Sequence, residues 1–206
     1  DASVNGGTTA YSTATDVAPI TVTAVNDAPT ASNLSAAEAY TEDLSLNLVD
    51  IVAADIDNAN LTVTLTLSNP VAGSLNTGTS GAVTSTYVAG TGVWTASGAI
   101  ANVNILLAAL TFTPAANFNS TFTIATSVSD GVAPALTGSK TMTGTAVNDA
   151  PVLNASANPA LSAVNEDATA PAGAAGSLVS ALVDLAVPSG QVDNVTDPDA
   201  SALLGI

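Results

Sequence analysis

The chain has 206 residues, 47% of them apolar but only 3% aromatic, and one basic residue, Lys140, stands against 17 acidic ones for a net charge of −16; His and Cys are absent. These numbers exclude zinc sites built on His or Cys, Ser-His-Asp and Cys-His nucleophiles, and the usual haem ligands. A single cation builds no phosphate cradle, and nucleic acid is repelled. Mean hydropathy is positive, +0.44, which argues against a disordered acidic chain, since such chains lack the apolar residues that offset ordering entropy. No apolar run reaches the roughly 18 residues of a membrane span, so no membrane insertion is expected. The chain does not open on a basic start followed by an apolar stretch, as a secretory signal would.

In chain order, Ile20, Val22 and Ala24 alternate with Thr21 and Thr23. Leu61, Val63, Leu65 and Leu67 alternate with Thr62, Thr64, Thr66 and Ser68. Trp94 lies in Gly92-Val-Trp-Thr-Ala96 and reads as a packed sheet residue. Val103, Leu106, Leu107 and Leu110, after Gly98, have helical spacing and predict one short helix. Phe122, Ile124 and Val128 alternate with Thr121, Thr123 and Ser127, with Thr126 breaking the inward row. Period-two patterns with threonine on the wet face predict antiparallel strands buried on one side. Turns are marked by Asn69-Pro70, Ser80-Gly81, Gly90-Thr-Gly92 and Asp130-Gly131. About seven strands are expected in 26–147, the number of an immunoglobulin-like sandwich.

Ala24-Val-Asn-Asp-Ala-Pro29 returns as Ala146-Val-Asn-Asp-Ala-Pro151, 122 residues later. Each copy is followed by Glu-Asp (Glu42-Asp43, then Glu166-Asp167) and by Asp-x-Asp (Asp55 and Asp57, then Asp197 and Asp199). A repeat at domain-sized spacing implies tandem domains. The expected division is the last strands of one repeat at 1–25, a complete repeat at 26–147, and the first part of another at 148–206, with residues 171–193 as an insertion or a second domain type.

Strand direction brings the acids together. If the first strand descends from Pro29 to Glu42 and residues 44–53 climb back, Asp55 and Asp57 return to the upper linker. If the last strand descends to Val147, its neighbour 121–129 climbs, and Asp130 lands there too. Asn26, Asp27, Asp55, Asp57 and Asp130 should then converge at the upper joint. Glu42, Asn148, Asp149, Asp197 and Asp199 should converge at the lower one. Clustered carboxylates in a half-dry joint must protonate or find a cation. Lys140 cannot serve two joints. Oxygen donors without His or Cys select Ca²⁺ or Mg²⁺, and Ca²⁺ takes about 6–8 such ligands in flexible geometry. No EF-hand pattern is met, because Ala59 stands fifth from Asp55.

The Ala-Val-Asn-Asp-Ala-Pro runs, the Glu-Asp pairs, Asp55-Ile-Asp57-x3-Leu61, Leu110-Thr-Phe-Thr-Pro-Ala-Ala-Asn-Phe-Asn119 and Val128-Ser-Asp-Gly131 resemble bacterial cadherin-like repeats of large secreted adhesins. Residues 148–206 are similar to the start of a related subtype, and 1–25 to its end. The resemblance implies an all-β array of tandem cadherin-like sandwiches with Ca²⁺ between them. It assigns Asn26, Asp27, Asp55, Asp57 and Asp130 to one joint and Glu42 to the next, with Asn148, Asp149, Asp197 and Asp199. There are departures: the linker lacks the flanking acidic and Asn residues of cadherins, and no Asp-Arg-Glu exists because Arg is absent. The implied function is a non-catalytic extracellular segment of a bacterial surface adhesin or stalk, its partners being neighbouring repeats of the same chain. Two alternatives are a structural subunit of a self-assembling filament or sheath, pairing with copies of itself, and a spacer module of a larger secreted enzyme. Reading Glu42-Asp43 or Glu166-Asp167 as a glycosidase pair lacks substrate-holding groups. The five Asn-x-Ser/Thr sequences, at Asn33, Asn60, Asn119, Asn154 and Asn194, read as ordinary surface residues of a chain rich in Asn and Thr.

Overall fold

A computed structural model describes residues 17–203 except 162, 164, 168, 170–176, 188, 191, 200 and 201. The sequence features at 1–16, at Leu204-Gly-Ile206 and at 171–176 therefore lie outside the described residues. Between residues 30 and 145 the strands are β1 (Thr30–Ala31), β2 (Glu38–Thr41), β3 (Leu46–Asn47), β4 (Ala53–Ala54), β5 (Asn60–Leu67), β6 (Gly73–Leu75), β7 (Thr79–Ser80), β8 (Val83–Thr84), β9 (Thr86–Val88), β10 (Val93–Ala99), β11 (Thr111–Pro114), β12 (Phe122–Ser129) and β13 (Leu136–Thr145). One helix, α1 (Ile100–Ala108), interrupts them, and β14 (Val152–Leu153) pairs with β15 (Val195–Thr196) beyond. Thirteen segments stand where about seven were expected, because five of them are two-residue pieces. Two of the four long strands, β5 and β12, are those whose alternation was named in the sequence; β10 and β13 were not marked by it.

Six strands form one sheet in the order β2-β13-β12-β5-β10-β9, and three form another, β3-β11-β6. The sheets meet through Phe112 of β11, whose ring lies 5.4 Å from Tyr40 of β2 and 5.2 Å from Phe122 of β12. Leu61, Val63, Leu65 and Leu67 are all buried, as are Phe122, Ile124 and Val128. Thr126 also points inward and is sealed, its hydroxyl donating to the Leu34 carbonyl at 3.0 Å. The branched side chain keeps the strand and the hydrogen bond offsets burial of the hydroxyl. Trp94 is fully buried, and its Nε1–H donates to the Asn76 carbonyl at 2.9 Å.

The helix forms where Val103, Leu106 and Leu107 recur, and these three face the core. It stops before Leu110, whose N–H donates to the Leu107 carbonyl and whose own carbonyl accepts from Leu48. Asn104 fastens the helix to β4 by a two-way bond with the backbone of Ala53, at 3.0 and 2.9 Å. The alternation at Ile20, Val22 and Ala24 produces no ladder among the described residues, and Ile20 is 89% and Val22 86% exposed. A strand pattern is realised only where a neighbouring strand takes up its backbone groups.

Charge is nearly absent from the six-stranded sheet. Its strands contain one acid, Glu38, and one base, Lys140, and both point inward. The Lys140 ammonium, fully buried, donates to Glu38 Oε1 at 2.9 Å and to the Val49 carbonyl at 3.0 Å. Glu38 Oε1 also accepts the Val49 N–H at 2.8 Å. This knot ties β2 and β13 to the segment after β3. Breaking a buried pair by removing one partner typically costs about 3–5 kcal/mol. Lys140→Met should therefore destabilise the fold by roughly that amount in urea denaturation. Adding Glu38→Leu should recover only part of the loss, because the Val49 backbone groups stay unpaired.

Candidate metal centre

β2 and β13 run parallel, with Thr41 beside Thr145, while β12 is antiparallel to β13. Glu42 therefore leaves β2 at the end where the chain exits β13 toward Val147. β12 delivers Asp130 to the opposite end, where Ser129 pairs with Thr62 just after Asn58. The strand directions inferred from the sequence are those of the fold.

At the upper end, Asp55 Oδ1 accepts the N–H groups of Asp57 (2.9 Å) and Asn58 (2.7 Å). This side-chain-to-backbone turn is the usual reason for Asp at such a position. It aims Asp57 at the linker, where Asp57 Oδ2 accepts the Asp27 N–H at 2.7 Å. The Asn26 amide donates to Asp130 Oδ2 at 2.7 Å. Asn58 donates to Asn26 Oδ1 at 2.8 Å and more weakly to Asp130 Oδ2 at 3.5 Å. All five residues expected at this joint are brought together, and Asn58 joins them. Asp130 Oδ1 closes its own turn by accepting from Val132 and Ala133, each at 2.9 Å. The Asn26 bond, supported by those from the turn, holds the Asp130 carboxyl below the ordinary carboxylate range.

At the lower end the same bonds recur. Asp199 Oδ2 accepts the Asp149 N–H at 2.7 Å, Asp197 Oδ1 accepts the Asp199 N–H at 2.9 Å, and the Asn148 amide donates to the Asp149 carbonyl at 2.9 Å. The upper equivalents have the same lengths, including 2.9 Å from Asn26 to the Asp27 carbonyl. Glu42 comes in from the end of β2: it is 1% exposed, and its Oε1 accepts the Val147 N–H at 2.6 Å. Its Oε2 accepts the Asn119 amide at 2.8 Å. One oxygen each from Glu42, Asp149 and Asp199 lies within 4.8 Å of the others, the one such acidic group among the described residues.

The donors fit a hard cation. They are carboxylate and amide oxygens throughout, and two of those carboxylate oxygens, Asp55 Oδ2 and Asp149 Oδ2, are buried without a hydrogen-bond partner. A buried, unpaired carboxylate oxygen is costly unless something else satisfies it. The Glu42–Asp149–Asp199 group could hold one metal ion. The protein's own cation cannot, since Lys140 is spent inside the sheet. Sequence reasoning did not place Asn58, Asn119 or Asp43 at these joints. Asn58 was legible as the amide next to Asp57. Asn119 and Asp43 were not, because the contact of Asn119 with Glu42 spans 77 residues and the effect of Asp43 is felt across space.

In comparisons with known proteins, no family matches this sequence and no curated protein matches it.

Burial pushes the Asp149 carboxyl above its ordinary 3.8, and the charges of Asp43, Asp199, Glu42 and Asp197 push it in the same direction. The folded chain thus holds this proton more tightly than the unfolded chain does. Its ionisation costs stability as pH rises from the ordinary carboxylate range through the raised value. Asp149→Asn should therefore raise the melting temperature of the chelator-treated protein at pH 7. The gain should vanish at acid pH, where the native carboxyl is already protonated. Thermal melts across pH check both statements.

Proposed function

We propose that the chain is a segment of an extracellular, non-catalytic tandem array of cadherin-like β-sandwich repeats, with Ca²⁺ at the joints. The observation that carries this reading is the recurrence of one hydrogen-bond set at two linkers 122 residues apart, each ending in a carboxylate oxygen that no protein donor reaches. All-oxygen donor sets favour Ca²⁺ or Mg²⁺. Ca²⁺ tolerates irregular geometry and partial hydration, which suits a cluster of three carboxylates open on one side.

At the lower joint a bound cation would be shared by Glu42, from one repeat, and by Asp149 and Asp199, which open the next. When present it supplies positive charge where repulsion otherwise drives the units apart. Glu42 contributes from a fixed, buried position. Asp199 stays oriented by the Asp149 N–H, and Asp149 loses the repulsion that raises its pKa. The result is a stiffer joint and, across many joints, a rod in place of a tether. Such a segment suits a secreted bacterial surface adhesin or stalk.

Calcium titration by calorimetry should give dissociation constants of about 10⁻⁴–10⁻³ M, the range of extracellular modules. Small-angle scattering should show a longer, stiffer particle with calcium than with chelator. An absence of binding heat together with superimposable scattering curves would contradict the proposal.

A further inference from the structure

We propose that Asn119 is a positioning residue for the lower joint, fixing the Glu42 carboxylate in the orientation that a shared cation requires. The inference rests on the reading of that joint as a cation site. Glu42 stands at the end of β2, where a glutamate has several rotamers open to it. Two donors remove that freedom. The Val147 N–H holds Oε1 at 2.6 Å and the Asn119 amide holds Oε2 at 2.8 Å. Because a carboxylate oxygen offers two lone pairs, one on each remains for a further partner. One oxygen each of Asp149 and Asp199 lies within 4.8 Å of a Glu42 carboxylate oxygen.

Asn119 can do this because its own backbone is clamped. Preceding it, Phe118 stacks on Tyr40 with ring centroids 6.5 Å apart and meets Phe122 edge-on at 5.9 Å. Following it, the Ser120 carbonyl accepts the Tyr40 hydroxyl at 2.6 Å. The loop is also held at Ala115, whose N–H donates to Ala72 at 2.8 Å, and at Asn117, left-handed at φ 58°, whose N–H reaches Asp43 Oδ1 at 3.3 Å. β13 passes so close that a Cβ on Gly144 would sit 2.3 Å from the Asn119 carbonyl oxygen. The residue type matters as well as its place. An amide donates a hydrogen bond without cancelling negative charge, so the cluster keeps its full attraction for a cation. A lysine there would compete with the metal, and an aspartate would add a fourth repelling group.

Groups that hydrogen-bond to a metal ligand and hold it in place typically carry about 10–100-fold in affinity. The test is calorimetric titration of the whole chain with CaCl₂ in an Asp55→Asn, Asp57→Asn background, which leaves the lower joint as the main source of heat. Four proteins are compared: the background, Asn119→Ala, Glu42→Gln and the double variant. Asn119→Ala should weaken calcium roughly tenfold. It should have no further effect once Glu42→Gln is present, because Asn119 acts through Glu42. Asn119→Leu, which fills the same space without a donor, should reproduce the loss and guards against a folding defect in the alanine variant. Melting curves in chelator confirm that each variant is folded. Wild-type affinity in both Asn119 variants would overturn the positioning role while leaving the calcium reading intact, as would an equal loss in the Glu42→Gln background. No calcium heat in the background protein or in the unmodified chain would overturn the calcium reading and the role with it.

Discussion

Everything at the joints follows from where the single basic side chain went. Lys140 is sealed between the sheets, held by Glu38 and the Val49 carbonyl. The carboxylates at the ends of the strands must therefore be compensated by backbone N–H groups, by side-chain amides or by a cation from solution. The wall of the six-stranded sheet has no such problem, since its outward positions, such as Thr62, Thr64, Thr66, Thr95 and Ser127, are hydroxyls rather than charges. Acidic groups are thus collected at the two ends, beside the Asn26-Asp27 and Asn148-Asp149 linkers. An uncharged wall with charged ends would confine cation-dependent behaviour there.

Neutral donors compensate part of that charge. Asp55 and Asp197 each spend one oxygen on the turn that presents the next aspartate, and Asp57 and Asp199 each spend one on the linker N–H. These bonds orient the acids, but a hydrogen bond from a neutral N–H does not remove a net charge. The buried oxygens left over, Asp55 Oδ2 and Asp149 Oδ2, mark where the supply of protein donors ends. A divalent ion would act at that point, because it satisfies several oxygens at once without needing one donor for each.

Much of this was legible in the sequence. The repeated Asn-Asp-Ala-Pro runs marked the two linkers, and alternation in 61–68 and 121–128 marked two of the long strands, β5 and β12, whose directions follow once the order of linkers is known. What escaped were contacts that depend on packing. Five short strands have no pattern of their own, since two residues cannot alternate; they exist because a neighbour's backbone lies in reach. Residues 20–24 show the converse, a good pattern with no strand beside it among the described residues. Thr126 reads as a break in an inward row and yet points inward, because the Leu34 carbonyl is there to take its hydroxyl proton. Asn119 belongs to a recognisable segment, but nothing in that segment says that its amide meets Glu42.

Among the described residues, Asp130 at one linker and Asp149 at the other have different neighbours, and their carboxyls register the difference. At the upper joint two amides, Asn26 and Asn58, stand among the acids, and Asp130 is held ionised by the hydrogen bond from Asn26 and by its own turn. At the lower joint Glu42 takes the inner place, and its amide partner, Asn119, is turned to Glu42 and not to the aspartates. Asp149 is left facing burial and four acidic neighbours, so its charged form is disfavoured. Among the described residues, Asp130 thus sits among donors and Asp149 among acids. A cation held by Glu42, Asp149 and Asp199 would relieve an electrostatic cost that these residues leave standing: Glu42 adds to the charge that raises the cost and would be a ligand through which a cation removes it.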